Sequence, residues 1–198
     1  FEYCRLIGTM ENIPEKEQFA LETTALVHDI GIKKAEEVDE RFHSRLNCKR
    51  KTYRYIINNS PYGTAIYRYL ETHIPQKLNV EKMKKAVKYF IGEHDFKAFC
   101  TDAKLMPYTV KTVYDINIHK DYSCLWNREE PGIIELEFHG SGFLYNMVRI
   151  MAGTIVDAGL GRFSQADIDA MLNGGTRSMS GQLAPARGLF LKKAEYSY

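Results

Sequence analysis

Apolar and polar residues alternate strictly in two stretches of the chain. Ile134, Leu136 and Phe138 interleave with Glu135 and Glu137, and Tyr114, Ile116 and Ile118 share one side of Val110 to His119. A period of two sends successive side chains to opposite faces, so both stretches predict half-buried strands. Thr52 to Asn58 (TYRYIIN) predicts a further strand, Leu189 to Ala194 a last one and Gly31 to Val38 a short one. Asn58 to Gly63 (NNSPYG) is a loop by its turn residues, and residues 1–25, with Pro14, predict no regular element.

A helical period takes over elsewhere. Over Asn79 to Gly92, Val80, Met83, Val87, Phe90 and Ile91 fall on one face and four lysines lie away from it, with Asn79 placed to cap the start and Gly92 the end. Ser164-x-x-Asp167 opens a short helix with Ile168, Met171 and Leu172 inward, stopped at Asn173-Gly174-Gly175. Phe143 to Gly159 (FLYNMVRIMAGTIVDAG) is apolar nearly all round, the mark of a buried helix. Strands and helices mix without a βαβ rhythm. The expected fold class is α+β, a mixed or antiparallel sheet with helices packed on one face.

Composition narrows the classes. At 198 residues the chain can bury a core without disulfide staples, and its apolar share of 44% argues against disorder. Net charge is +2, so any nucleic-acid affinity must come from local clustering. Four scattered cysteines form no CxxC pair, which indicates neither a zinc site nor a disulfide framework and fits a reducing, cytoplasmic setting. No apolar run approaches the ~20 residues of a membrane span. The first residue is Phe1 and no leader pattern follows, so the expectation is a truncated or processed chain.

Arg149 is the anomaly within the apolar helix. A guanidinium cannot be neutralised, so in such a place it needs a carboxylate or phosphate partner. Two readings stay open: a structural ion pair or a snorkelling side chain, and a group that meets a catalytic carboxylate or an anionic substrate. A second cluster runs from Arg45 to Tyr55, with Arg45, Lys49, Arg50, Lys51 and Arg54 interleaved with Tyr53 and Tyr55. Cations neutralise phosphates and tyrosines stack on unpaired bases, although an edge strand guarded by cations has the same composition. In a strand, Tyr53 and Tyr55 share one face while Thr52, Arg54 and Ile56 share the other. His28-Asp29 lacks further ligands for a metal, His94-Asp95 reads as a surface or capping pair, and Gly174-Gly175 follows no strand that would make it a phosphate loop.

Five segments appear in order: Phe42 to Arg45 (FHSR), Lys51 to Tyr55 (KTYRY), Gly92 to Phe99, Phe143 to Gly153 (FLYNMVRIMAG) and Ala184 to Leu191 (APARGLFL). Together they resemble the tRNA pseudouridine synthases of the TruA family, from about His28 to about Glu195. The resemblance implies two α+β domains flanking a basic cleft in a metal-free, cofactor-free, cytoplasmic homodimer. Its implied partner is the anticodon stem-loop of tRNA, with uridines at positions 38–40 isomerised to pseudouridine. The family's chemistry centres on an aspartate in an Arg-Thr-Asp-Ala-Gly-Val-His type motif, which breaks the N-glycosidic bond before the uracil rejoins through C5. No Arg-Thr-Asp-Ala-Gly occurs in this sequence, and Thr101-Asp102-Ala103 has other neighbours and lies after the Tyr53 motif. The expected organisation is therefore residues 1–47 as a remnant of an N-terminal catalytic domain and 48–198 as the C-terminal α+β domain, inactive without the upstream aspartate. A non-catalytic RNA-binding module of the same descent is the alternative, and a structural or dimerisation domain without RNA contact is a third reading. By the resemblance, Tyr53 stacks on the target base and helps remove the C5 proton, Arg149 pairs with the catalytic aspartate and the flipped nucleotide, and Leu189 packs against the uracil. Arg45, Lys49, Arg50 and Arg54 are assigned to phosphates by chemistry and position in the basic run.

Overall fold

The computed structural model describes residues 40–44, 46–63, 65, 67–120 and 132–196. The expected strand at 31–38, the irregular stretch 1–25, His28-Asp29, Arg45, Cys4 and Cys124 lie outside the described residues. The chain divides between His43 and Ser44, and the unit from Ser44 to Ser197 holds the sheet and helices that follow.

Among the described residues one sheet of six strands forms: β1 (Cys48–Asn58), β2 (Thr72–His73), β3 (Gly92–Asp95), β4 (Val110–Lys120), β5 (Ile133–Gly140) and β6 (Leu189–Tyr196). β1 is its spine. One side pairs antiparallel with β5 along Lys51 to Asn58. The other side pairs antiparallel with β6 over Cys48 to Tyr55 and then parallel with β2 at Ile57 and Asn58. The order continues β5-β4-β3, all antiparallel, and the parallel β1–β2 pair makes the sheet mixed, as expected. With neighbours on both sides, β1 is not the guarded edge strand that its cations allowed.

Three helices, α1 (Val80–Phe90), α2 (Met147–Gly159) and α3 (Gln165–Leu172), bury one side of the sheet. Tyr55, Ile57, Leu136, Phe138, Val113 and Ile116 meet Met83, Phe90, Ile150, Met151, Ile155 and Met171 in one core. The local signals act as read. The Asn79 side chain accepts from the Lys82 amide at 3.0 Å. Ser164 and Asp167 form both bonds of a capping box. Gly174, at φ +95, follows the end of α3, and the Gly175 amide donates to the Met171 carbonyl. Asp95 caps a 3-10 turn at Phe96–Phe99, the capping role expected of the His94-Asp95 pair.

Three expectations change. Tyr114 does not share the inner face with Ile116. The β4–β5 register slips between Val113 and Asp115, so Val113 and Ile116 both point inward and Tyr114 is 45% exposed. One extra residue in a strand reverses the alternation from that point on. The apolar stretch from Phe143 is not helical throughout. Asn146 takes φ +61, a left-handed conformation that breaks the helical path, so α2 begins at Met147 and Tyr145 is exposed. Gly92 follows the end of α1, as expected, but it also opens β3, paired with Val113.

The second face of the sheet is charged yet shielded. Glu135 is 1% exposed and faces the Arg54 guanidinium at 3.6 Å. Burial pushes the Glu135 carboxyl up from its ordinary value, with Arg54 pulling the other way. Glu137 bridges His139, at 3.0 Å, and Lys192.

Candidate active site

Every residue of α2 except Arg149 is buried. Arg149 is half-buried at the first turn, where the helix faces the middle of β1 and the start of β6. Two neighbours hold its guanidinium. Nε donates to the Ala184 carbonyl at 2.7 Å, and one terminal nitrogen donates to Asn146 Oδ1 at 3.0 Å. A guanidinium has five N–H donors, so three remain. Among the described residues no carboxylate lies within ion-pairing distance of Arg149. Of the two readings of this residue, the internal ion pair finds no partner here.

The remaining donors border an open cavity of about 620 Å³. Tyr53 from β1, Arg149 from α2 and Leu189 from β6 line it together. Three residues far apart in sequence thus meet because β1 and β6 are neighbours and α2 packs behind them. The Phe143 ring stands edge-on to Tyr53, with centroids 5.4 Å apart and planes at 87°. An edge-to-face contact fixes ring orientation, so the Tyr53 ring is held while the residue stays partly exposed. Burial, ahead of the nearby Cys48, raises the Tyr53 phenol above its ordinary value, and it stays neutral at physiological pH.

Tyr55, two residues on, cannot stack on a base. It is 1% exposed, and its hydroxyl lies 2.6 Å from Thr72 Oγ1 and donates to the Pro185 carbonyl at 2.8 Å. Burial pushes its phenol up to about 12. These bonds tie β1 to the loop whose Ala184 carbonyl holds Arg149.

The four assigned phosphate contacts separate. Lys49 and Arg50 are exposed at the start of β1, and the Arg50 guanidinium lies over the Tyr114 ring, 5.2 Å from its centroid. Arg54 points to the opposite face, is buried and faces Glu135, so its geometry does not suit a phosphate on the cavity side. Arg45 lies outside the described residues. Asp102 is exposed and absent from the cavity lining, although Thr101 Oγ1 accepts a bond from Asn146 Nδ2 at 3.3 Å.

Sequence reasoning missed several lining residues. Asn146 orients Arg149, and its only sequence signal was that asparagine tolerates a left-handed backbone. Phe143 passed for a helical core residue. Lys111 and Tyr108 also line the cavity, with the ammonium 5.5 Å from the ring centroid. Nothing in the sequence joined that pair to Arg149.

Comparison with known proteins gives the family. The sequence model of the tRNA pseudouridine synthase family matches residues 86–197. A tRNA pseudouridine synthase A of Bacillus licheniformis is 40% identical over 186 residues, 93% of this chain and 71% of that protein. The chain belongs to the tRNA pseudouridine synthase family. Other members are similarly close. The tRNA pseudouridine synthase A of Ruminiclostridium cellulolyticum is 42% identical over 171 residues, and that of Clostridium botulinum 40% over 189. The chain spans 66% and 73% of the lengths of these two synthases, about two thirds of each. Within the pseudouridine synthase match fall Arg149 and Leu189, while Tyr53 precedes it. No helix among the described residues is long and apolar enough to cross a membrane.

Proposed function

We propose that this chain carries the base-binding half of a tRNA pseudouridine synthase site. The observation that carries the reading is the convergence of Tyr53, Arg149 and Leu189 on one cavity, with three guanidinium N–H groups that no carboxylate among the described residues takes up. A flipped uracil stacks on the Tyr53 ring and packs against Leu189. Extruding a base costs a few kcal/mol, and a held aromatic face returns part of that. Arg149 holds the attacking aspartate ionised and oriented, since a cation beside a carboxylate favours the charged form. Burial favours the neutral Tyr53 phenol, which cannot itself take up the C5 proton, so its part in that step is to hold the base while another group or water accepts the proton. Lys49 and Arg50, exposed at the start of β1, contact the phosphates of the anticodon arm at positions 38–40.

The attacking aspartate is not one of the described groups near Arg149, and the family's motif is missing from the sequence. The proposal therefore assigns the aspartate to a segment beyond these 198 residues, with residues 1–47 as part of that domain. The chain on its own is then expected to bind tRNA without turnover. The cytoplasmic homodimer that the resemblance implies is part of the same proposal.

Titration of tRNA against the chain tests the cavity. Tyr53→Ala is expected to weaken binding about tenfold or more, in line with ~1–3 kcal/mol per stacked base. Tyr53→Phe keeps the ring and is expected to stay within about threefold of wild type. Equal affinity in all three proteins would remove Tyr53 from the base site.

A further inference from the structure

Three ammonium groups on α1 have no use inside the protein. Lys82, Lys85 and Lys88 recur every third residue and are all exposed, and among the described residues none has an ion-pair partner. Lys84 on the same helix differs, because it pairs with Glu81 at 3.0 Å. The three free lysines follow a groove between α1 and α3. Lys82 and Lys85 line a depression of about 300 Å³ with Phe163 and Ser164, and Lys85 and Lys88 line its neighbour of about 370 Å³ with Tyr89. Gln165 borders both depressions and accepts from the Tyr89 hydroxyl at 3.1 Å. The carboxylate of Asp167, at the start of α3, is taken up by the amide and hydroxyl of Ser164, each at 2.7 Å. The capping box thus keeps that charge engaged beside the groove.

Like charges three apart on a helix repel by a few tenths of a kcal/mol per pair. The C-terminal end of the helix dipole favours Lys88, but no acidic side chain among the described residues pairs with any of the three, and a bound polyanion would offset the repulsion. We infer that the Lys82–Lys85–Lys88 groove is a second contact surface for the phosphate backbone of RNA, remote from the cavity. The inference rests on tRNA being the ligand of the cavity. α2 connects the two places: Arg149 opens it, and Ala158, nine residues on, lines the groove. At 1.5 Å per residue the separation along α2 is about 14 Å. A duplex carries one phosphate for about every 1.7 Å of its axis, so a stem engaged at the cavity has phosphates within that reach. The aromatic rings of Tyr89 and Phe163 beside the cations suit a nucleic acid better than a carboxylate-rich peptide.

The test is the salt dependence of tRNA binding to the chain between about 50 and 250 mM KCl. The variants are Lys82→Gln/Lys85→Gln/Lys88→Gln together, and Lys84→Gln alone. The triple variant is expected to lose about two to three from the slope of log K against log salt, about one per phosphate contact. Its affinity at 100 mM is expected to fall at least tenfold. Lys84→Gln is expected to keep the wild-type slope. An unchanged slope in the triple variant, with wild-type binding intact, overturns the groove and leaves the cavity reading standing. An equal loss per lysine in Lys84→Gln also overturns it, because net charge alone would then account for the effect. A wild-type chain without salt-dependent binding overturns the cavity reading and the groove with it. Circular dichroism checks that both variants are folded.

Discussion

Arg149→Ala is expected to lower pseudouridine formation about 10²–10³-fold, the cost of deleting one pre-placed donor group at a reacting centre. The assay is tritium release from tRNA labelled at uracil C5, with the aspartate-bearing segment joined to this chain. Affinity for tRNA is expected to fall less than tenfold, because Tyr53, Leu189 and the phosphate contacts remain. That split, a lost rate with retained binding, separates a role at the reacting atoms from general damage. Arg149→Lys is expected to recover little. An ammonium cannot reach the Ala184 carbonyl and Asn146 Oδ1 together and still offer a flat pair of donors to a carboxylate. The 198-residue chain without that segment is expected to release no tritium above background. An Arg149→Ala enzyme at wild-type rate would sink the assignment of the residue, and turnover by the chain alone would sink the assignment of the aspartate to another segment. Tight tRNA binding with no turnover in the joined protein would favour a non-catalytic RNA-binding module.

Gly153→Ala is expected to destabilise the fold by about 3 kcal/mol, the upper range for overpacking. A Cβ at Gly153 would sit 1.9 Å from the Gln182 carbonyl oxygen, far inside contact distance. The obstacle is backbone, so the 182–184 loop itself must move. In an ordinary helix interior the same change stabilises by about 1 kcal/mol, so the sign of the effect is diagnostic. Urea denaturation reads it: with a slope of about 2 kcal/mol per molar, the midpoint should drop by about 1–2 M. The site should suffer as well, since the displaced loop carries the Ala184 carbonyl that holds Arg149 Nε. A midpoint equal to or above wild type would show that the loop yields freely and that the close approach of α2 is not needed.

These two expectations join at one place. Gly153 lets the 182–184 loop come down onto α2, the loop presents Ala184, and Ala184 with Asn146 orients Arg149. The Tyr55 hydroxyl, bonded to the Pro185 carbonyl, fastens the other end of the loop to β1. The length of β1 that fixes this loop also presents Tyr53. Positioning of the two residues is therefore coupled through a short piece of backbone.

The amino-acid sequence was sufficient for features whose physics is local. Capping by Asn79, the Ser164–Asp167 box and the stop at Gly174 depend on neighbours within a few residues, and they form as the spacing indicates. The period of two marked β5 as a strand, although Glu135 and Glu137 on its second face are buried as well, so it is not the half-buried strand the alternation predicts, and the apolar α2 required only that its side chains leave water. Arg149 was conspicuous because a permanent cation in such a stretch has to be explained wherever the helix packs. Other features depended on residues distant in the chain. Tyr53 and Tyr55 are chemically alike and share a face, yet one lines a cavity and the other is sealed by Thr72 and Pro185. Arg54 looked like its basic neighbours until β5 set Glu135 against it. Tyr114 turned outward because of a register slip that is a property of two strands together. The cavity itself is a product of sheet order: with β6 beside β1 and α2 behind both, Leu189 and Arg149 arrive at Tyr53. Periodicity records which residues avoid water, and pairing across the sheet and loop contacts set which of them meet.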